Sequence, residues 1–308
     1  MQYLIEQENK AIRLVEERGV AAFPYKTTIN QIFQWCQTQC AGMRPTTVRK
    51  FAVPASLTSK IDFVKDLTIN VSVEDGENLA YKHGGGNLNV RLDDTIVNGK
   101  YSKAIINIEG YSYYGVLYQN TILNSFYHEL NHLYEAWKEL ISTKSMSLYA
   151  KGTKKSNINV DWFNDDDLNN ILRLIFYRLY SETEMNAMIA GVFGDLQGIN
   201  STRKNFSNDI KTTHAYQVYN KIKTELPIIV QIFKDNLHLV KPMIKLLKAN
   251  GFEFNPYYKN EQGYIKEFNR RTQYLLKHLI RGIGKTASLY YDSKEVPEDD
   301  INITIKNK

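Results

Sequence analysis

The sequence predicts an α+β fold, in which a small, mostly antiparallel β-sheet comes first and a large helical part follows. Three observations support this prediction. The chain has 308 residues, of which 43% are hydrophobic and 23% are charged, and these proportions are typical of a globular protein. Apolar and polar residues alternate within residues 59–116, as they do in half-buried strands. From Asn120 to about Ile283, apolar residues recur with the period of amphipathic helices instead.

The strands are predicted where every second residue is apolar. These positions are Leu67, Ile69, Val71 and Val73 in one strand, and Leu88, Val90 and Leu92 in the next. Asn98 and Gly99 favour a tight turn between antiparallel strands. Residues 104–108 predict another strand, and we expect it at an exposed edge of the sheet, where a peptide can add to it.

Helices are predicted before and after the sheet. Two precede it, over residues 1–20 and from Thr28 or Asn30 to Gln39. The others are expected over 120–141, from a cap at Asn164 or Asp165 to about Gly194, and over 206–225, 227–249 and 262–281. We divide the chain into a mixed helical segment over 1–58, a core over 59–195, a helical subdomain over 196–292 and a polar tail over 293–308.

The apolar pattern excludes two classes of protein. The sequence contains no apolar run near the roughly 20 residues of a membrane helix, and residues 1–20 carry charges that a secretory signal lacks. We therefore expect a cytoplasmic protein with no membrane partner, or a virion-associated protein if a phage encodes it.

Cys36 and Cys40 are too few for a disulfide scaffold, so we expect reduced thiols.

The net charge of +6 is mild, and the isoelectric point is near 9.0. We interpret this charge as spread along the chain. The densest basic cluster consists of Lys144, Lys151, Lys154 and Lys155, which are separated by Ser, Thr and Gly as in a solvated loop. The sequence therefore does not favour a nucleic-acid partner, because a binding groove is expected to carry more Arg and interleaved aromatic residues.

One short motif indicates chemistry, and it reads His128-Glu129-Leu130-Asn131-His132. Residues four apart lie above one another on a helix, so His128 and His132 share one face. Two imidazoles so placed can bind one Zn²⁺, and Glu129 is then placed to accept the proton of an attacking water. The alternative is a pair of surface histidines on an amphipathic helix without a metal.

The context of the motif favours the metal site. The predicted helix has an apolar stripe formed by Ile122, Leu123, Phe126, Tyr127, Leu130, Tyr134, Trp137 and Ile141. The histidines fall on a separate polar face, together with Thr121, Ser125, Glu135 and Glu139. This division predicts that the apolar face packs on the sheet and that the imidazoles face a cleft.

A catalytic zinc ion has three protein ligands and one open position, so a third ligand is expected downstream. Glu184 and Glu182 are the candidates. We favour Glu184 because Ala187 and Gly191 lie on the same face of its helix, and small residues allow close approach to the histidine helix. Glu182 falls nearer an apolar face, and it stays open as the alternative ligand. The acids at residues 165–167 are weaker candidates, because the first turn of a helix favours them in any case.

His128, Glu129 and His132 on one helix, with Glu184 on the next, resemble the zincin metallopeptidases, and a glutamate ligand resembles the gluzincin type. The stretch Glu182-Thr183-Glu184-Met185-Asn186-Ala187 is similar to one found in the repressor-cleaving zinc peptidases of phages and mobile elements. The resemblance implies a zincin-like fold with a small sheet, a histidine helix and a glutamate helix. It also implies hydrolysis of peptide bonds in a protein or peptide, with His128, His132 and Glu184 as zinc ligands and Glu129 as general base.

Two further expectations concern the function. A zincin stabilises the oxyanion of the tetrahedral intermediate with a side chain beyond the metal ligands, and His214 is our candidate for this role. The competing hypothesis is a non-catalytic, zincin-like structural or virion protein, in which the metal site is vestigial or serves stability.

Overall fold

The structure is a computed structural model, and it describes residues 25–40, 43, 47–75, 87–113, 116–117, 119–143, 160–163, 165–249 and 254–295. The predicted helix over residues 1–20 and the basic cluster over 144–155 lie outside the described residues. The polar tail lies outside them from residue 296 onward. The fold is α+β, as predicted, with one small sheet followed by a large helical part.

The described residues form a sheet of five strands. They are β1 (Val48–Ala52), β2 (Val64–Asp75), β3 (Asn87–Val97), β4 (Lys100–Tyr113) and β5 (Val116–Leu117). Their order is β1-β2-β4-β3, and β5 pairs with β4. The β2–β4 pair is parallel and the other three pairs are antiparallel, so the sheet is mostly antiparallel, as expected.

The strand over residues 104–108 is not an edge strand, and this expectation is wrong. It belongs to β4, where Ile106 pairs with Ile69 of β2 on one side and with Val90 of β3 on the other. The predicted turn between β3 and β4 is confirmed, because Asn98 and Gly99 have φ angles of 53° and 75°. This left-handed backbone is accessible to Gly and tolerated by Asn.

Nine α-helices are described. They are α1 (Lys26–Cys40), α2 (Ala55–Thr58), α3 (Gln119–Thr143), α4 (Asp166–Arg173), α5 (Glu182–Gly198), α6 (Phe206–Thr212), α7 (His214–Asp235), α8 (Val240–Ala249) and α9 (Glu261–Glu295). A π-helical turn over Leu174–Leu179 follows α4, and short 3-10 turns occur at Arg203–Asn205 and Leu237–Leu239. None of the described helices is long and apolar enough to cross a membrane.

Several predicted helix boundaries are wrong. The helix that Asp165 caps does not run on to Gly194, because Ser181 breaks it and caps α5 through its hydroxyl. Pro227 does not begin a helix but lies inside α7, which Thr213 caps and which ends at Asp235, so the predicted helices over 206–225 and 227–249 are each broken within their range. The last helix passes through Gly282, where an added Cβ would lie 2.4 Å from Ile189 Cδ1, so this glycine serves close packing against α5 rather than helix termination.

Helix α3 lies between the sheet and α5. Its buried residues include Leu123, Phe126, Tyr127, Leu130 and Leu133, which agrees with most of the predicted apolar stripe, although Ile141 is exposed. The Trp137 side chain donates a hydrogen bond of 2.8 Å to the Gly99 carbonyl, and the Tyr127 hydroxyl lies 2.9 Å from Asn30 Oδ1 of α1. These contacts fix the rotation of α3 about its axis and therefore the direction in which its polar face points.

Candidate metal centre

His128 and His132 lie one above the other on α3, as the motif predicts. Their Nε2 atoms are 3.2 Å apart, and their rings are almost perpendicular. Both imidazoles are half-buried, because the opposite face of α3 packs into the core. The two nitrogens therefore point to a common position beside the helix.

Glu184 completes the cluster from the first turn of α5. Its Oε2 lies 3.5 Å from His128 Nε2, and its Oε1 lies 3.5 Å from His132 Nε2. The structure thus brings together His128, His132 and Glu184 as a group that could hold a metal ion. Glu182, the alternative ligand, is exposed at the start of the same helix and does not belong to this group.

The spacing of the three donor groups fits a small metal ion. A tetrahedral ion with bonds of about 2.0–2.1 Å keeps its ligand atoms about 3.3 Å apart. In the cluster the two Nε2 atoms are 3.2 Å apart, each lies 3.5 Å from a different oxygen of Glu184, and one ligand atom from each residue lies within 4.8 Å of the other two, which is close to this spacing. Two imidazoles and one carboxylate also form a donor set that zinc uses in catalytic sites.

The protonation states of these groups suit metal binding. Burial and the nearby His128 and Arg178 lower the pKa of His132 to about 4, so its ring is neutral at pH 7. Burial by itself raises the pKa of Glu184, but the hydrogen bond from His128, the nearby His132 ring and Arg178 together outweigh it and lower the pKa to about 2. A neutral imidazole and an ionised carboxylate are the forms that bind a metal without first losing a proton.

Glu129 lies beside the cluster without joining it. Burial, together with repulsion from the Glu184 carboxylate, raises the pKa of Glu129 to about 7, although Arg178 acts in the opposite direction. A carboxyl group with this pKa gains and loses a proton readily near neutral pH, as a general base must.

Arg178 is a member of the site that the sequence analysis missed. Its Nη1 lies 2.5 Å from Glu184 Oε2 and 3.4 Å from His128 Nε2. The neighbouring Tyr177 also hydrogen-bonds Glu184, and burial next to that carboxylate raises the pKa of Tyr177 to about 12, so its hydroxyl remains a donor. Both residues therefore hold the Glu184 carboxylate in place.

The π-helical turn explains how Tyr177 and Arg178 both reach Glu184. This turn is wider than an α-helical turn, and such turns are frequent at functional sites. It ends at Leu179, and the chain restarts as α5 with Ser181 as its cap. The sequence did contain a signal for this restart, because Ser181 and Glu184 have the spacing of a capping box.

His214 lies near the cluster but does not belong to it. His214 is exposed at the surface, and desolvation by the surrounding protein, together with the nearby Arg178 and His128, lowers its pKa to about 4. Its backbone N–H donates a hydrogen bond of 2.9 Å to Asp195 Oδ2 of α5. The proposed contact of His214 with an oxyanion stays a prediction.

Small residues bring α5 against α3, as expected. An added Cβ at Gly191 would lie 2.7 Å from Asn124 Nδ2, and one at Gly194 would lie 2.8 Å from the Leu123 carbonyl oxygen. Ala187 is also completely buried. Of these residues, only Gly194 was not predicted to serve the contact.

In comparisons with known proteins, no family model, no curated protein and no solved structure matches this chain. The resemblance to zincins therefore rests on the motif in α3 and on the position of Glu184 relative to it. Within the described residues, that arrangement defines a group able to hold a metal ion.

Proposed function

We propose that this protein is a zinc-dependent metallopeptidase that hydrolyses peptide bonds in a protein or peptide substrate. The observation that carries this proposal is the convergence of three donor groups, from His128, His132 and Glu184, at separations of 3.2–3.5 Å. Glu129 lies next to the first of these ligands in sequence and shares their half-buried surroundings. Three ligands and an adjacent carboxyl group are what a hydrolytic zinc site requires.

The remaining side chains have separate roles in this proposal. When bound, the zinc ion polarises the substrate carbonyl and lowers the pKa of a water molecule. Glu129 accepts the proton of the attacking water and delivers it to the leaving amine. Arg178 and Tyr177 orient Glu184 through the contacts described above, and His214 donates to the oxyanion from the first turn of α7.

The substitution Glu129→Gln tests the proposal. The amide has the same shape as the carboxylate and Glu129 is not a ligand, so the variant should keep about one zinc ion per molecule. It should lose peptide hydrolysis by a factor of at least about 100, because an amide cannot accept the proton. Zinc is measured by elemental analysis, and hydrolysis is measured with a quenched fluorescent peptide library. A variant that stays folded and loses its zinc would show that the role of Glu129 is wrong.

One observation favours a second candidate function, a non-catalytic protein that uses this cluster for stability. The Arg178 guanidinium contacts both Glu184 and His128, so a positive charge of the protein itself already neutralises the carboxylate. In that case the purified chain should contain no zinc and none of the library peptides should be cleaved. Zinc bound at the cluster, together with cleavage that depends on Glu129, would contradict this alternative.

A further inference from the structure

Helix α9 exposes a stripe of positive charge along more than half of its length. We define the α9 stripe as Lys266, Arg270, Lys277, Arg281 and Lys285, all of which are exposed. At 100° per residue these five positions fall within about 100° of the helix circumference, and they extend over about 29 Å. The opposite face is buried and includes Phe268, Leu279 and Ile283.

Exposed acidic residues are few beside this stripe, although the Glu182 carboxylate of α5 lies close enough to act electrostatically on His278 of α9. Among the described residues from Val240 to Lys285, no acidic side chain is exposed, because Glu261 is half-buried and Glu267 is buried. The Glu267 carboxylate accepts a hydrogen bond from the Asn255 N–H, so its oxygens are engaged inside the fold and not at the surface of the stripe. Like charges four residues apart on a helix repel, and the stripe contains three such pairs.

Helix α8 extends the positive surface. It packs against α9 and carries Lys241, Lys245 and Lys248, which are exposed. Residues 240–285 contain ten Lys and Arg and three Glu, a net charge of +7, so the rest of the chain is close to neutral. The expectation that the positive charge is spread along the chain is therefore wrong.

The chemistry of the stripe favours a nucleic-acid backbone over a membrane surface. A membrane-bound helix inserts an apolar face, but the apolar face of α9 is buried in the core. Arg281 offers a planar donor group that matches phosphate, and the exposed ring of Tyr274 lies within the same arc. A row of cations along about 29 Å of one helix suits a long, regular polyanion.

We propose that the α9 stripe binds duplex nucleic acid through its phosphate backbone, without reading the sequence of bases. Phosphate contacts fix position and orientation but carry no base information. This site is independent of the proposed peptidase activity, since none of its five residues belongs to the metal centre.

The test compares two neutralised variants of the full chain with the unaltered protein. The stripe variant carries Lys277→Gln, Arg281→Gln and Lys285→Gln, and the control variant carries Lys50→Gln, Lys65→Gln and Lys103→Gln on the sheet, where all three lysines are exposed. Binding to fluorescent duplex DNA of about 20 base pairs is measured by anisotropy over a range of salt concentrations.

The stripe variant should bind at least about tenfold more weakly. The slope of its log affinity against log salt concentration should be less negative by about three. The control should retain the affinity of the unaltered chain. Three results would overturn the proposal: no binding by the unaltered chain, equal loss in both variants, or tighter binding to vesicles of phosphatidylserine and phosphatidylcholine than to DNA. Thermal unfolding of each variant verifies that it is folded.

Discussion

At the scale of single residues, the surroundings of Glu129 and Glu184 act on their pKa values in opposite directions. Burial and the neighbouring negative charge raise the pKa of Glu129 to about 7. The contacts of Glu184 with His128 and Arg178 lower its pKa to about 2. One carboxyl group is therefore suited to exchange a proton and the other to remain an anion, and such a division is typical of hydrolytic sites.

We expect Glu184→Ala to remove most of the zinc at neutral pH, because a ligand contributes both charge and geometry to a four-coordinate site. Glu182→Ala is the matched control, since Glu182 lies two residues away on the same helix and is exposed. Zinc content after dialysis, measured by elemental analysis, checks the prediction. If both variants keep zinc, or if only the Glu182 variant loses it, the ligand is misassigned.

At the scale of secondary structure, the distance between α3 and α5 decides whether the ligands meet. Among the described glycines, Gly194 lies closest to the main chain of a neighbouring helix. An added Cβ there would lie 2.8 Å from the Leu123 carbonyl oxygen and 2.9 Å from Asn124 Cα of α3. Main-chain atoms of a packed helix cannot move aside as a flexible side chain can. The two helices must therefore separate when this position carries a side chain.

We expect Gly194→Ala to lower the free energy of unfolding by about 1–3 kcal/mol and to weaken zinc binding, because Glu184 moves away from the histidines. Gly284→Ala is the control, since an added Cβ on that helical glycine meets nothing within 4 Å. The control should be more stable by about 0.5–1 kcal/mol and keep its zinc. Denaturant unfolding and zinc titration measure both effects, and an unchanged zinc affinity in Gly194→Ala would contradict the argument.

Asp195 joins three helices near the site. Its carboxylate accepts hydrogen bonds from the His214 N–H of α7 and from the Asn124 side chain of α3. Burial raises its pKa to about 7, so the folded state holds this proton more tightly than the unfolded chain does. Unfolding therefore releases a proton between about pH 4 and pH 7, and the free energy of unfolding falls as the pH rises through that range.

We expect Asp195→Asn to remove this dependence, because the amide does not ionise. Relative to the unaltered chain, the variant should gain stability on the order of 2 kcal/mol between pH 5 and pH 8. Denaturant unfolding at both pH values measures the gain. A constant difference between the two proteins at pH 5 and pH 8 would show that Asp195 is ionised in the folded state throughout.

At the scale of the whole molecule, the candidate metal centre depends on the complete fold. The ligands come from α3 and α5, which are separated by 38 residues between Thr143 and Glu182. A single continuous core connects the sheet, α3, α5 and α9. A metal ion that binds these ligands therefore binds the folded state in preference to the unfolded chain.

We expect removal of zinc by a chelator to lower the melting temperature by roughly 5 °C, because a ligand at about 100 times its Kd stabilises the folded state by about 2.7 kcal/mol. His132→Ala should show no such shift, while His238→Ala, which changes an exposed histidine outside the cluster, should behave like the unaltered chain. Differential scanning fluorimetry with and without chelator measures the shifts. An equal shift in all three proteins would mean that the chelator acts elsewhere.

The sequence by itself determined the features that depend on local geometry. Helical periodicity placed His128 and His132 one turn apart, the Asn98-Gly99 pair fixed a turn, and the small residues after Glu184 indicated which helix face meets α3. Each of these inferences involves residues a few positions apart, whose relative placement a single element decides.

Only the tertiary structure decided the features that depend on distant partners. Residues 104–108 lie in a central strand because β2 and β3 both pair with β4, and alternation of apolar residues reports a buried face but not a neighbour. Arg178 joins the site because a π-helical turn and a capped restart of the chain direct it to Glu184. The surface around the α9 stripe lacks the Glu267 carboxylate because that side chain is buried, and burial depends on packing that no local pattern records.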